Sequence, residues 1–86
     1  MAQAARGISK SVHTPSQRAF CALMKETRRT AGLTQQELAD RLDKPQSFVA
    51  KYEGGERRID VVEFLGVAKA LDTDPVTLLR ALVRRI

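Results

Sequence analysis

The chain has very little of the residue chemistry that enzymes and metal sites are built from. Cys21 is the only cysteine among 86 residues, so an internal disulfide and a cysteine-based zinc site are both excluded. It is expected as a small buried hydrophobe on the first helix rather than a redox centre. His13 is the only histidine, with no carboxylate or nucleophile constellation around it, so no catalytic role, metal or cofactor is expected. Aromatics are few (Phe20, Phe48, Tyr52 and Phe64), which leaves Leu, Val and Ala to fill most of a core. No apolar run approaches the roughly 18 residues that a membrane span requires. The first ten residues lack the apolar stretch of a secretory signal, and the compartment expected is the reducing cytoplasm. No strand pattern and no internal repeat is visible.

Positive charge and helical periodicity remain. Fifteen Lys and Arg against ten Asp and Glu give a formal charge of +5 and a pI near 10.0, a balance that favours polyanionic partners. Residues 1–13 are small, polar and aperiodic, and read as a flexible tail ahead of one domain at 14–86. Thr14-Pro15-Ser16-Gln17 opens helix 1, whose packing face is Phe20, Leu23, Met24, Thr27 and Ala31, and Gly32 ends it. Thr34 and Glu37 form a capping box for helix 2, which buries Leu38, Ala39 and Leu42. Pro45 breaks that helix, because the residue before a proline is pushed away from helical angles. Helix 3 runs from Pro45 or Gln46 to Glu53 and stops at Gly54-Gly55. Asp60 and Glu63 cap helix 4, with Val61, Phe64, Leu65, Ala68 and Leu71 predicted to face inward. Asp74-Pro75 opens helix 5, with Leu78, Leu79, Leu82 and Ile86 as its inner face. The fold class is all-α, with five short helices.

Helices 2 and 3, joined by so tight a break, read as a helix-turn-helix. With Val49 at the centre of the buried face of helix 3, Tyr52 and Glu53 fall on the same side, while Ser47 and Lys51 point away. Gln46 sits at the leading end. Gln pairs bidentately with adenine, Lys donates to guanine or to a phosphate, and Ser is permissive, so these three are the predicted base contacts. Phe48 lies on the flank, either packing under helix 4 or meeting a thymine methyl. The start of helix 2, with Thr34 and Gln35, is the candidate backbone phosphate anchor. Lys44, Arg57 and Arg58 flank helix 3 as candidate phosphate clamps, the two arginines being alternatively a solvated loop pair. Ala39 is the small residue that lets the two helices cross closely.

Arg28-x-x-x-Gly32-Leu33-Thr34-Gln35-x-Glu37-Leu38-Ala39, followed by Gln46-Ser47-x-Val49-x-Lys51-Tyr52-Glu53-x-Gly55, closely resembles the Xre-type, lambda-repressor-like DNA-binding domains. The likeness spans roughly residues 17 to 82. It implies a five-helix domain that binds a two-half-site operator in double-stranded DNA as a homodimer and regulates transcription, usually as a repressor. It further implies that Gln35 contacts phosphate, that Gln46, Ser47 and Lys51 read bases, and that Arg28 and Glu53 form a structural ion pair. Two positions depart from the pattern: Asp43 and Asp72 stand where Gly is common, and Asp is the less tolerant of left-handed backbone. Pro45 also replaces the usual capping Thr or Ser.

One recognition helix reads few base pairs, so two copies about one DNA turn (~34 Å) apart are expected. Helix 5 carries more apolar residues than one face needs, and Val76, Val83 and Ile86 are the candidate dimer contacts. Two other readings stand beside the repressor. One is an antitoxin that also binds a toxin; the other is a protein-interaction or RNA-binding adaptor using the same fold.

Overall fold

The computed structural model describes residues 14–86, so the expected tail at 1–13 lies outside the described residues. Five helices follow one another: α1 Pro15–Thr30, α2 Gln35–Leu42, α3 Gln46–Glu53, α4 Val61–Ala70 and α5 Pro75–Arg85. No strand occurs among the described residues.

Local chemistry sets most boundaries. Thr14 Oγ1 accepts the Gln17 N–H at 3.1 Å ahead of Pro15, which starts α1. Thr34 with Glu37, and Asp60 with Glu63, form complete capping boxes at α2 and α4, and Asp74 caps α5. Pro45 precedes α3 without a side-chain cap, so that helix begins at Gln46.

The stops of α1, α2 and α4 share one device. Beyond α1, the Leu33 N–H reaches Arg28 O and the Gly32 N–H reaches Arg29 O, with Gly32 left-handed at φ 77°. The same pair of bonds closes α2 through Lys44 to Ala39 and Asp43 to Asp40, and closes α4 through Thr73 to Ala68 and Asp72 to Lys69. There the left-handed residues are Asp43 (φ 55°) and Asp72 (φ 58°), the two positions at which the sequence departs from Gly. These tight turns let α3 fold back against α2 without a long loop.

Met24, Leu38, Ala39, Val49, Tyr52, Val67 and Ala68 form the centre of the core, with Cys21, Leu23, Phe64, Leu71 and Leu78 around it. Phe20 packs tilted against Phe64, ring centroids 5.9 Å apart. Arg85 of α5 grips Glu26 of α1 through both carboxylate oxygens, at 2.8 and 3.2 Å.

Several expected inward residues are on the surface. Val61 and Leu65 of α4, Leu79 of α5 and Ile86 just after it are exposed, Ala31 caps α1 in solvent, and Leu42 is only half-buried. The reason is that α4 is apolar nearly all round, so periodicity does not choose its face. Packing against α2 and α5 selects Phe64, Val67, Ala68 and Leu71 instead. On α5, Leu78 is buried while Leu82 is half-buried.

Candidate nucleic-acid interface

The second helix of the pair divides cleanly into two faces. Val49, Tyr52 and Glu53 are buried, while Gln46, Ser47 and Lys51 are exposed. Ala39 is fully buried beneath the turn between α2 and α3, and its carbonyl takes the Lys44 N–H at 3.0 Å. A larger side chain there would displace α3.

A buried ion pair fixes the C-terminal end of α3 to α1. The Arg28 Nε donates to Glu53 Oε2 at 2.8 Å and Nη2 donates to Oε1 at 3.0 Å. The remaining arm, Nη1, donates to Leu33 O at 2.7 Å. Both side chains are almost fully shielded, at 7% and 2% exposed. The carboxylate raises the Arg28 pKa, so the guanidinium is charged throughout the accessible pH range.

From this pair a hydrogen-bonded chain leads outward. The Gln35 Nε2 donates to Glu53 Oε1 at 3.1 Å, and the Gln46 Nε2 donates to Gln35 Oε1 at 2.7 Å. Gln35, at the first position of α2, therefore links the buried Glu53 to the exposed leading end of α3. Residue spacing carried no signal for this link, because it joins residues 11 and 18 positions apart through the tertiary fold.

The candidate anchor at the start of α2 is partly occupied by its own cap. Thr34 N–H donates to Glu37 Oε1 at 2.9 Å, and Thr34 Oγ1 accepts the Glu37 N–H at 3.0 Å. The backbone amides of Gln35 and Gln36, and the Thr34 hydroxyl as a donor, lie outside that box. They are the groups able to meet a phosphate. The carboxyl of Glu37 is lowered below its ordinary pKa by these bonds to Thr34.

Phe48 is half-buried and meets Tyr52 edge-on, ring centroids 5.5 Å apart. The Lys44 ammonium stands 5.7 Å and the Arg57 guanidinium 4.9 Å from its ring centroid. The ring is thus a support for two cations, with part of its surface still exposed. Arg57 is also paired with Glu63, at 2.9 and 3.2 Å, and donates to Arg58 O. Glu63 serves twice, since its Oε1 also accepts the Asp60 N–H that completes the α4 cap. The sequence marks Glu63 as a capping residue; its grip on Arg57 is visible only in three dimensions. Lys44, Lys51 and Arg58 are exposed.

Away from this face, Val61, Val62 and Leu65 of α4, Val76, Leu79 and Val83 of α5, and Ile86 just after it are exposed. Spacing does not single out Val62, and four of the others, Val61, Leu65, Leu79 and Ile86, are expected inside. A groove of about 600 Å³ runs beside them, lined by residues that include Phe20, Ile59, Phe64 and Leu82. No helix among the described residues is long and apolar enough to cross a membrane.

The helix-turn-helix family model matches residues 24–78, a segment that holds α2, α3 and α4 entire. No curated protein matches the chain. Among solved structures, an XRE-family like protein from Pseudomonas syringae pv. tomato is 46% identical over 85% of this chain and 89% of its own, with a TM-score of 0.78. The restriction-modification controller protein C.AhdI from Aeromonas hydrophila is 36% identical over 69% of this chain and 86% of its own, with a TM-score of 0.65. The controller protein C.Esp1396I, solved as a tetramer on its natural 35 base-pair operator, is 18% identical over 85% of this chain and 96% of its own. Its TM-score of 0.78 speaks for the fold alone. On the family model, the 46% identity and the paired helices α2 and α3, this chain belongs to the XRE family of helix-turn-helix proteins, DNA-binding regulators of transcription.

Proposed function

We propose that the protein is a sequence-specific repressor that binds double-stranded DNA as a homodimer, with α3 in the major groove. The observation that carries this reading is the division of α3: Gln46, Ser47 and Lys51 stand in solvent while Val49, Tyr52 and Glu53 hold the helix to the core. Gln46 leads into the groove and meets base edges, Ser47 adapts beside it, and Lys51 reaches a guanine or a phosphate. Phe48 offers its exposed part to a thymine methyl. Lys44, Arg58, the Thr34 hydroxyl and the first amides of α2, with Gln35, contact the backbone on either side. Arg57 joins them in competition with Glu63, which already holds its guanidinium.

The homodimer rests on a different observation, the apolar residues left in water on α4 and α5. Val76, Val83 and Ile86 together with Val61, Val62, Leu65 and Leu79 leave a larger apolar surface uncovered than scattered exposure accounts for. Joining two copies there supplies the second recognition helix that a two-half-site operator needs. A likeness of 36% to a restriction-modification controller protein supports regulation of transcription.

Selection of bound sequences from a random DNA pool tests the whole reading. A palindromic consensus, bound by two chains, is the expected result. Binding without sequence preference, lost entirely at raised salt, overturns it.

A further inference from the structure

The side-chain hydrogen bonds between the buried ion pair and the leading end of α3 all run in one direction. Glu53 takes two N–H groups from Arg28 and, as a carboxylate, can only accept. Gln35 must therefore turn its NH2 toward Glu53, and its Nε2 does donate to Oε1 at 3.1 Å. The carbonyl end of the same amide then faces Gln46, which answers with its own NH2 at 2.7 Å. Each amide has one donor end and one acceptor end, so orienting the first orients the second. Gln46 is left to present Oε1 and its remaining N–H to whatever lies beyond the protein.

We propose that Glu53 is a specificity-determining positioning residue: relayed through Gln35, its charge sets the polarity with which Gln46 meets a base, selecting adenine over guanine. This rests on the reading of Gln46 as a base contact and deepens it. Adenine offers a donor at N6 and an acceptor at N7, the complement of a carbonyl beside an N–H. Guanine offers two acceptors, O6 and N7, and would set O6 against Gln46 Oε1. Turned over, Gln46 would aim its carbonyl at Gln35 and both N–H groups outward, a surface that suits guanine. Glu53 is held against such a reversal by its 2% exposure and by Arg28, whose third arm is fastened to Leu33 O.

The test compares affinities for the selected operator with adenine or guanine placed opposite Gln46, folding of each variant being checked by circular dichroism. The parent protein is expected to favour adenine by about tenfold or more. Glu53 Oε1 accepts from both Arg28 Nη2 and Gln35. Glu53→Gln with its NH2 in that place keeps the acceptor for Arg28 Nε, gives up the bond to Nη2 and offers a donor to Gln35 Oε1, turning both amides over. The adenine-to-guanine ratio then falls to near parity or inverts. Adding Gln35→Glu to that variant restores the preference, because the new carboxylate at position 35 accepts from both neighbours and Gln46 turns its NH2 inward again. If Glu53 merely anchored α3, both operators would weaken alike and the second substitution would restore nothing. Gln35→Leu leaves the buried ion pair intact and covers the case of a Glu53→Gln variant that does not fold; it is expected to narrow the ratio. An unchanged ratio in folded Gln35→Leu overturns the proposal. Gln46→Ala separates the two readings: if it too leaves the preference untouched, Gln46 is no base contact. If it alone abolishes the preference, the relay fails and the base contact stands.

Discussion

Gln46, the first residue of α3, donates its side-chain N–H to Gln35, the first residue of α2, across 2.7 Å. The leading ends of the two helices are therefore tied by polar side chains at the surface, while Leu38, Ala39 and Val49 tie them by packing beneath. For the proposed base contact, a side chain held in this way loses less freedom on binding than one left free.

Gln46→Ala is expected to cost about 1–3 kcal/mol on the selected operator and to relax preference at one base pair. Filter binding or fluorescence anisotropy on matched and mismatched operators measures both effects. Equal weakening on specific and random DNA would count against base contact.

Arg28→Leu should destabilise the fold by about 3–5 kcal/mol, because it strands a buried carboxylate. Against a total stability of about 5–15 kcal/mol for small domains, that is a large fraction. Arg28→Leu combined with Glu53→Met should recover most of the loss, since no buried charge remains without a partner. Urea denaturation of the single and double variants gives the comparison; equal losses in both would show that the pair itself, rather than an unpaired charge, sets the cost.

Asp72→Asn is expected to stabilise by about 0.3–1 kcal/mol. Asn tolerates the left-handed backbone at φ 58° as Asp does, and it removes a negative charge from the C-terminal end of α4, where the helix dipole disfavours anions. Thermal melts at low ionic strength should show the gain, and it should shrink as salt is added. A lower melting temperature would indicate a role for the Asp72 carboxylate that its position does not suggest.

Stability should fall on both sides of neutrality, for opposite reasons. The Arg57 guanidinium holds the Glu63 carboxyl below its ordinary value of 4.5, and bonds to Thr34 and to Arg85 do the same for Glu37 and Glu26. Folded values below unfolded ones mean that this stabilisation is present above about pH 4.5 and is lost as pH falls through the folded values. Burial raises the Cys21 thiol above 9.0 and the Tyr52 phenol above 10.0. Their contribution is full below those values and lost as pH rises through the folded ones, since the unfolded chain ionises first. Glu63→Gln should flatten the acid limb of a stability–pH profile and leave the alkaline limb alone. An unchanged acid limb would remove the Arg57–Glu63 pair from the account.

Val83→Asp should yield a folded monomer with weakened operator binding. Val83 is 70% exposed in the single chain, so the substitution disturbs little within it. Sedimentation equilibrium reports the assembly state and circular dichroism the fold. A dimer that survives both Val83→Asp and Val62→Asp would place the contact elsewhere.

The boundaries of the fold were legible in the residues because short-range chemistry makes them. Thr34 with Glu37, Asp60 with Glu63 and Pro after Thr14 or Asp74 act within one helical turn, so spacing along the chain is spacing in space. The division of α3 was legible for the same reason: 3.6 residues per turn puts Val49 and Tyr52 opposite Ser47 and Lys51 whatever surrounds them. The resemblance to a known family marked Arg28 and Glu53 as partners, and the ion pair is there at 2.8 Å. What could not be read was the choice among faces that are equally apolar. Nothing local distinguishes Val61 and Leu65 from Phe64 and Val67 on α4, and only the packing of α2 and α5 settles which enter the core. The relay from Glu53 through Gln35 to Gln46, and the two cations over Phe48, arise likewise from residues brought together across turns and helices. Helix limits and the polar face of α3 thus follow from contacts within a turn or two of chain. Which apolar surface stays wet, and which way Gln46 is turned, follow from contacts between helices, whose geometry no spacing along the chain records.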